Sequence, residues 1–155
     1  MRPKQFTLVS VKTTPTASLL LRYADGQKFE IGLVDIINRH PSLARLKNAQ
    51  VFGSAKVGEH GASVIWNEDD ELELAADNLR ARAVEQAGGV SHEFIWEWMI
   101  RHGLTLDSAA EALGVSRRML AYYRSGAKPV PRTVALACLG FEEAQRTGGL
   151  LAMAA

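Results

Sequence analysis

The stretch Leu104–Thr133, LTLDSAAEALGVSRRMLAYYRSGAKPVPRT, carries two short helical patterns separated by a tight turn. In the first, Ala109, Ala110 and Leu113 share one face, Asp107 sits in the first turn where the helix dipole favours a negative charge, and Thr105 is placed to cap. Gly114 ends this pattern, because glycine takes the left-handed conformation without a Cβ penalty, and Val115 can then drop into the core. Ser116 caps a second helix, expected over roughly Ser116 to Ser125. Leu120 and Tyr123 point with Val115 toward the first helix, which leaves Arg117, Arg118, Ala121 and Tyr122 outward.

The charge on that outward face is the next clue. Two arginines in the first turn oppose the positive end of the helix dipole, a poor choice for helix stability unless something negative is waiting. From Arg117 to Arg132 the charged residues are Arg117, Arg118, Arg124, Lys128 and Arg132, with no Asp or Glu among them. Residues 1 to 88, by contrast, hold eleven basic and eleven acidic side chains, so the cationic surplus is local. A short basic patch on one helix suits site-specific contact with nucleic acid better than coating it.

This segment resembles the lambda-repressor-like (xenobiotic-response-element type) helix-turn-helix family of bacterial and phage regulators. Its pattern is roughly LT-x-x-x-LA-x-x-LGVS-x-x-x-I-x-x-[YW]-E-x-G-x-x-x-P, matched here without a gap by LTLDSAAEALGVSRRMLAYYRSGAKPVP. The resemblance implies an all-α five-helix domain and a second helix lying in the major groove of double-stranded DNA. It places Arg117, Arg118 and Tyr122 at base edges, and Ser116, Met119, Arg124, Lys128 and Arg132 toward the backbone. Two positions depart from the family. Leu106 stands where a phosphate-binding glutamine is common, and Arg124 stands where Glu usually precedes the wing. Because one reader helix covers only a few base pairs, a homodimer on two half-sites is expected.

The chain before this segment reads as a small, mainly antiparallel sheet domain with minor helices, so the fold class expected is α+β, with domains at 1–87 and 90–155 divided at Gly88-Gly89. Phe6–Thr13 reads as a strand, and Ser18–Tyr23 and Gln27–Leu33 flank the turn signal Asp25-Gly26. A two-residue loop would pair Tyr23 with Lys28 and Leu21 with Glu30. A three-residue loop, Ala24-Asp25-Gly26, instead sets Leu19, Leu21 and Tyr23 beside Phe29, Ile31 and Leu33, and this register is preferred with Gly26 left-handed. Val34–Asn38 predicts a helical turn before His40-Pro41, and Ser42–Lys47 a short helix capped by Ser42. Val51–Val57 and Ala62–Trp66 predict two further strands. The acidic run from Glu68 to Asp77 reads as a solvated loop entering a helix, with Leu72, Ala75, Ala76, Leu79 and Ala83 on one face. Beyond the boundary, Glu93–His102 predicts a helix bearing Phe94, Ile95, Trp98 and Met99 with Trp96 partly around the side, and Arg132–Arg146 a closing helix. The apolar tail GGLLAMAA either frays or packs on a neighbouring subunit.

Several classes of function lose support. No apolar run approaches the ~20 residues of a membrane helix, and MRPKQFTLVSVKTT lacks the apolar core of a secretory signal, so a cytoplasmic location is expected. The lone cysteine, Cys138, lies in an apolar helical pattern and reads as a buried thiol. His92-Glu93 begins an HExxH-like string, but Trp96 stands where the second zinc-binding His would be. No calcium-loop spacing, nucleophile elbow or phosphate-cradling loop occurs, so neither enzyme, metal nor cofactor is expected. Glu59-His60 is the one acid–base arrangement worth locating.

The first 85 or so residues also resemble a family of small bacterial domains of unknown function, through VSVKTTPTASLLLRYADGQKFEIGL, an ARLKN-type segment and GASVIWNEDDELELAADNL. Such domains occur alone or fused to helix-turn-helix domains, some of them antitoxin-associated. The resemblance implies a partner-binding module. Two functions are therefore carried forward: a sequence-specific DNA-binding transcriptional regulator acting as a dimer, and an antitoxin-like protein whose N-terminal domain holds a toxin-type partner while DNA binding is secondary.

Overall fold

The computed structural model describes residues 2–67 and 69–148. A 3-10 turn, Lys4–Phe6, leads into β1 (Leu8–Thr13), β2 (Ser18–Tyr23) and β3 (Lys28–Gly32), an antiparallel sheet in that order. Leu19 pairs with Ile31, Leu21 with Phe29 and Arg22 with Lys28, which is the three-residue-loop register, and Gly26 is left-handed at φ 86°. The register follows from burial: Leu19, Leu21, Tyr23 and Ile31 all face the core, which a shift by one residue would turn to solvent.

Helix α1 (Val34–Arg39) ends at His40, which the following proline holds extended at φ −116°, ψ 105°. A 3-10 helix then runs from Pro41 to Lys47, and Ser42 is inside it, not its cap: Pro41 takes the first helical position, where its missing N–H costs nothing. Val51–Val57 is not one strand. Asn48 accepts hydrogen bonds from the Gln50 and Val51 N–H groups and so starts α2 (Ala49–Gly53), leaving only β4 (Lys56–Val57) extended.

Sheet two corrects the acidic stretch. Strand β4 pairs with β5 (Ser63–Trp66), which pairs antiparallel with β6 (Asp69–Ala75), so most of the run expected as a loop is a strand. Buried Leu72 and half-buried Leu74 alternate with exposed Glu71 and Glu73, the period of an amphipathic strand. Glu68 lies outside the described residues. The helix that follows, α3 (Ala76–Gln86), therefore starts later than expected, and Leu72 and Ala75 belong to the strand. Leu79 and Ala83 do pack into the core with Leu8, Leu19 and Trp66, whose Nε1 donates to the Phe52 carbonyl at 3.0 Å. At its far end, Gln86 grips the edge of β3 with both ends of its amide: it accepts from the Gly32 N–H at 2.9 Å and donates to the Gly32 carbonyl at 2.8 Å.

The chain divides into two compact units between Ala87 and Gly88. In the second unit the described residues form four helices: α4 (His92–Arg101), α5 (Leu106–Leu113), α6 (Arg117–Arg124) and α7 (Arg132–Thr147). The lambda-repressor-like resemblance implies five; an isolated antiparallel bridge between Val90 and Val130 ties the segment before α4 to the one before α7. Ile95, Trp98, Leu120 and Cys138 are fully buried between these helices. Burial, helped by the nearby Glu142 charge, pushes the Cys138 thiol up to about 11, so the thiolate is scarce at neutral pH. His102 stacks edge-on against Phe141 at 5.1 Å and sets its Nε2 3.0 Å from Glu142 Oε1. That contact and the Arg101 guanidinium hold the Glu142 carboxyl below the usual carboxylate range. Of the tail GGLLAMAA only Gly148 is described, as the left-handed cap of α7; both expectations for the rest fall on undescribed residues.

Candidate nucleic-acid interface

Two short helices of eight residues each need help at both ends, because an isolated helix of that length is unstable in water. Thr105 Oγ1 accepts from the Ser108 N–H at 3.1 Å while Ser108 Oγ accepts from the Thr105 N–H at 2.9 Å, a reciprocal cap on α5. Gly114 closes that helix at φ 70°, ψ 29°, and the Val115 N–H returns to the Ala110 carbonyl at 3.1 Å. Ser116 Oγ then accepts from the Met119 N–H at 3.0 Å and starts α6. Leu120 at 0% and Tyr123 at 9% exposure pin α6 to the core, and Val115 packs beside them.

With that face buried, the opposite face of α6 stands in solvent. Arg117 is not the uncompensated charge that the sequence implies. Its Nε lies 2.8 Å from Asp107 Oδ1 on α5, where both side chains are mostly exposed. A pair in that setting is worth about 0–1 kcal/mol, so an incoming anion displaces it at little cost. Arg118 donates from Nε to the Tyr122 hydroxyl at 2.9 Å and lies 5.5 Å from that ring's centroid. Lys128, from the segment after α6, sets its Nζ 4.7 Å from the same centroid. One aromatic ring therefore collects two cations.

The remaining sequence-derived residues are placed unevenly. Ser116 is exposed but its hydroxyl is engaged as the cap, and Met119 is half-buried against the helical core with its N–H taken by Ser116. Arg132 is exposed at the first position of α7. Arg124 lies 4.5 Å over the ring of Trp96 on α4, and Trp96 is 43% exposed. Sequence reasoning missed this aromatic support. The signal available was Trp96's position at the side of the α4 apolar face, between buried Ile95 and Trp98.

Elsewhere, His60 Nε2 is 3.3 Å from Glu59 Oε1, with both side chains more than four-fifths exposed. Open solvent on all sides gives this pair no means of tuning a proton transfer. Among the described residues no group of three or more His, Cys, Asp or Glu could hold a metal, and no helix is long and apolar enough to cross a membrane.

The geometry defines an α+β protein with an antiparallel-sheet unit and a helical unit that offers one cation-bearing helix face to solvent. No protein-family model matches the chain, and no curated protein sequence does. Among solved structures it is similar to the crystal structure of the putative DNA binding protein NE0471 from Nitrosomonas europaea ATCC 19718, with 40% sequence identity over 94% of this chain and 92% of that one and a TM-score of 0.84. The chain belongs to the same family as NE0471.

Proposed function

We propose that the chain binds double-stranded DNA sequence-specifically through a lambda-repressor-like helix-turn-helix, α5 and α6, and acts as a dimeric bacterial transcriptional regulator. The observation that carries this reading is the solvent face of α6, where Arg118 and Lys128 gather on Tyr122 and Arg124 rests on Trp96. The description of its relative NE0471 as a DNA binding protein agrees with it. Arg117 and Arg118 donate to guanine edges and Tyr122 packs against a neighbouring base. Arg124, Lys128 and Arg132 hold phosphates, while Trp96 keeps the Arg124 guanidinium outstretched. Ser116 and Met119 serve the interface by fixing the start of α6. A two-fold pair of such helices on half-sites about one turn apart supplies the affinity that a single short helix lacks.

The test is selection from a random duplex library at near-physiological salt, where weak phosphate binding is suppressed. Wild type is expected to enrich a two-fold-related motif. Arg118→Ala should relax preference at one base position by about 1–3 kcal/mol. Lys128→Ala should weaken all sequences alike and reduce the salt slope by about one. Trp96→Ala should behave as a mild Lys128→Ala. Folded wild-type protein that enriches nothing would remove the reading role from α6; equal losses on every sequence from Arg118→Ala and Lys128→Ala would remove the residue assignments.

A further inference from the structure

A second cationic surface lies on the solvent face of the first sheet. Ser10 is opposite Arg22 and Arg22 opposite Lys28; in the next row Lys12 is opposite Leu20 and Leu20 opposite Glu30. This arrangement depends on an irregularity in β1. Leu8 pairs with Tyr23 but Ser10 already pairs with Arg22, so Val9 is an extra residue, a bulge. Strict alternation from Leu8 would send Ser10 and Lys12 to the core face. The bulge lets Val11 follow Leu8 inward and turns Lys12 out beside Arg22 and Lys28.

The result is electrostatically unfavourable for the isolated protein. Arg22 and Lys28 are directly opposite, their Cβ atoms about 5 Å apart, a placement that destabilises a strand pair. Lys12, Arg22 and Lys28 are all exposed, and none has a carboxylate within ion-pair distance among the described residues. Among the described residues Glu30 is the one acid on the face. Around these residues runs an open groove of about 610 Å³ whose floor includes Leu20, 41% exposed.

We propose that this face is a sequence-independent contact for the phosphate backbone of duplex DNA; the inference rests on the DNA-binding reading of α6. An anion between Arg22 and Lys28 relieves their repulsion, and a polyanion meets both rows at once. The groove is open to solvent, unlike the enclosing pockets that bury most of a small ligand. Exposed apolar surface amounts to Leu20 and the bulged Val9, too little for the apolar centre of a protein interface.

The experiment compares full-length wild type with the Lys12→Gln/Arg22→Gln/Lys28→Gln variant, titrating by anisotropy a selected duplex and an unrelated one across a salt series. All three side chains point away from the core, so circular dichroism and thermal unfolding should show an intact fold. The slope of log affinity against log salt is expected to fall by about 2–3, with about tenfold or greater loss at ~0.1 M salt. Both duplexes should lose equally, leaving the specificity ratio unchanged. Glu30→Gln, which removes the acid beside these cations, should shift affinity the other way. An unchanged slope in the triple variant overturns the proposal and leaves the α6 reading standing, whereas wild type that binds neither duplex overturns both. An unchanged slope with loss of poly-glutamate binding that wild type retains would overturn it in favour of an acidic protein partner.

Discussion

Replacing Arg80 with Met should lower the stability of the N-terminal unit by about 2 kcal/mol, the order expected when the hydrogen bonds of a buried guanidinium to a charged and a backbone acceptor are lost. Arg80 is only 12% exposed and joins three separate pieces of chain. Its Nη2 lies 2.8 Å from Asp25 Oδ2 in the hairpin turn, its Nη1 donates to the Gln5 carbonyl at 2.8 Å, and its guanidinium sits 5.0 Å and 4.9 Å from the Tyr23 and Phe29 centroids. The two rings meet edge to face at 5.8 Å, and the Tyr23 hydroxyl, which burial pushes above its usual range, donates to the Ala76 carbonyl at 2.7 Å. Methionine keeps the apolar stem but removes the guanidinium's bonds to the Asp25 carboxylate and the Gln5 carbonyl. Urea unfolding with hydrogen exchange on β2 and β3 measures the change, and a loss below about 1 kcal/mol would place the node outside the stabilising core.

The same node sets an acid dependence. Burial pushes the Asp25 carboxyl up, but hydrogen bonds from Arg80 and the Gln27 N–H, with the Arg80 charge, outweigh it and hold the group below the usual carboxylate range. A carboxylate depressed in the folded state contributes stability that is present above its unfolded pKa, about 3.9, and is lost as pH falls through the folded value. Wild type should therefore lose this contribution only below about pH 4. In Arg80→Met that acid step should shrink to what the Gln27 N–H bond alone sustains; a step of unchanged size would assign it to another carboxylate.

Leu120→Ala should have the matching effect on the helical unit, costing about 3 kcal/mol from lost burial and the cavity left behind. Leu120 is fully buried and is one of two side chains that pin α6. The cost falls on stability, not on base preference, because Arg118 and Tyr122 occupy the opposite face. At a temperature where both proteins are folded, the variant should select the same motif as wild type with a lower melting temperature. A variant as stable as wild type would mean that α6 is held by something other than its apolar face.

What the sequence disclosed depended on how locally each feature is encoded. The first hairpin was legible because Asp25-Gly26 fixes the turn and only one register puts all the apolar residues together. The α5–α6 pair was legible because Thr105, Gly114 and Ser116 act on their own neighbours. Strand β6 was hidden because its two leucines are outnumbered by acids, so the period-two signal is carried by Leu72 and Leu74 alone. Val51–Val57 reads as a strand, but the Asn48 cap and the inward Phe52 decide for a helix over Ala49–Gly53. At the interface, no Asp or Glu lies between Arg117 and Arg132, yet Asp107 on the preceding helix meets Arg117 across the turn. Arg118 and Tyr122 are an i,i+4 pair on one helix face, but the Tyr122–Lys128 and Trp96–Arg124 contacts join residues six and twenty-eight positions apart, a relation that no single helical period contains.

The grip of Gln86 on Gly32 bears on how the first sheet can meet other proteins. A partner that docks by strand addition needs free N–H and C=O groups along an exposed edge. At Gly32 both outward-facing groups are already taken by one side-chain amide, which acts as a one-residue strand supplied from α3. Growth of the sheet past that end of β3 requires Gln86 to let go first, and the same amide guards the edge against self-association.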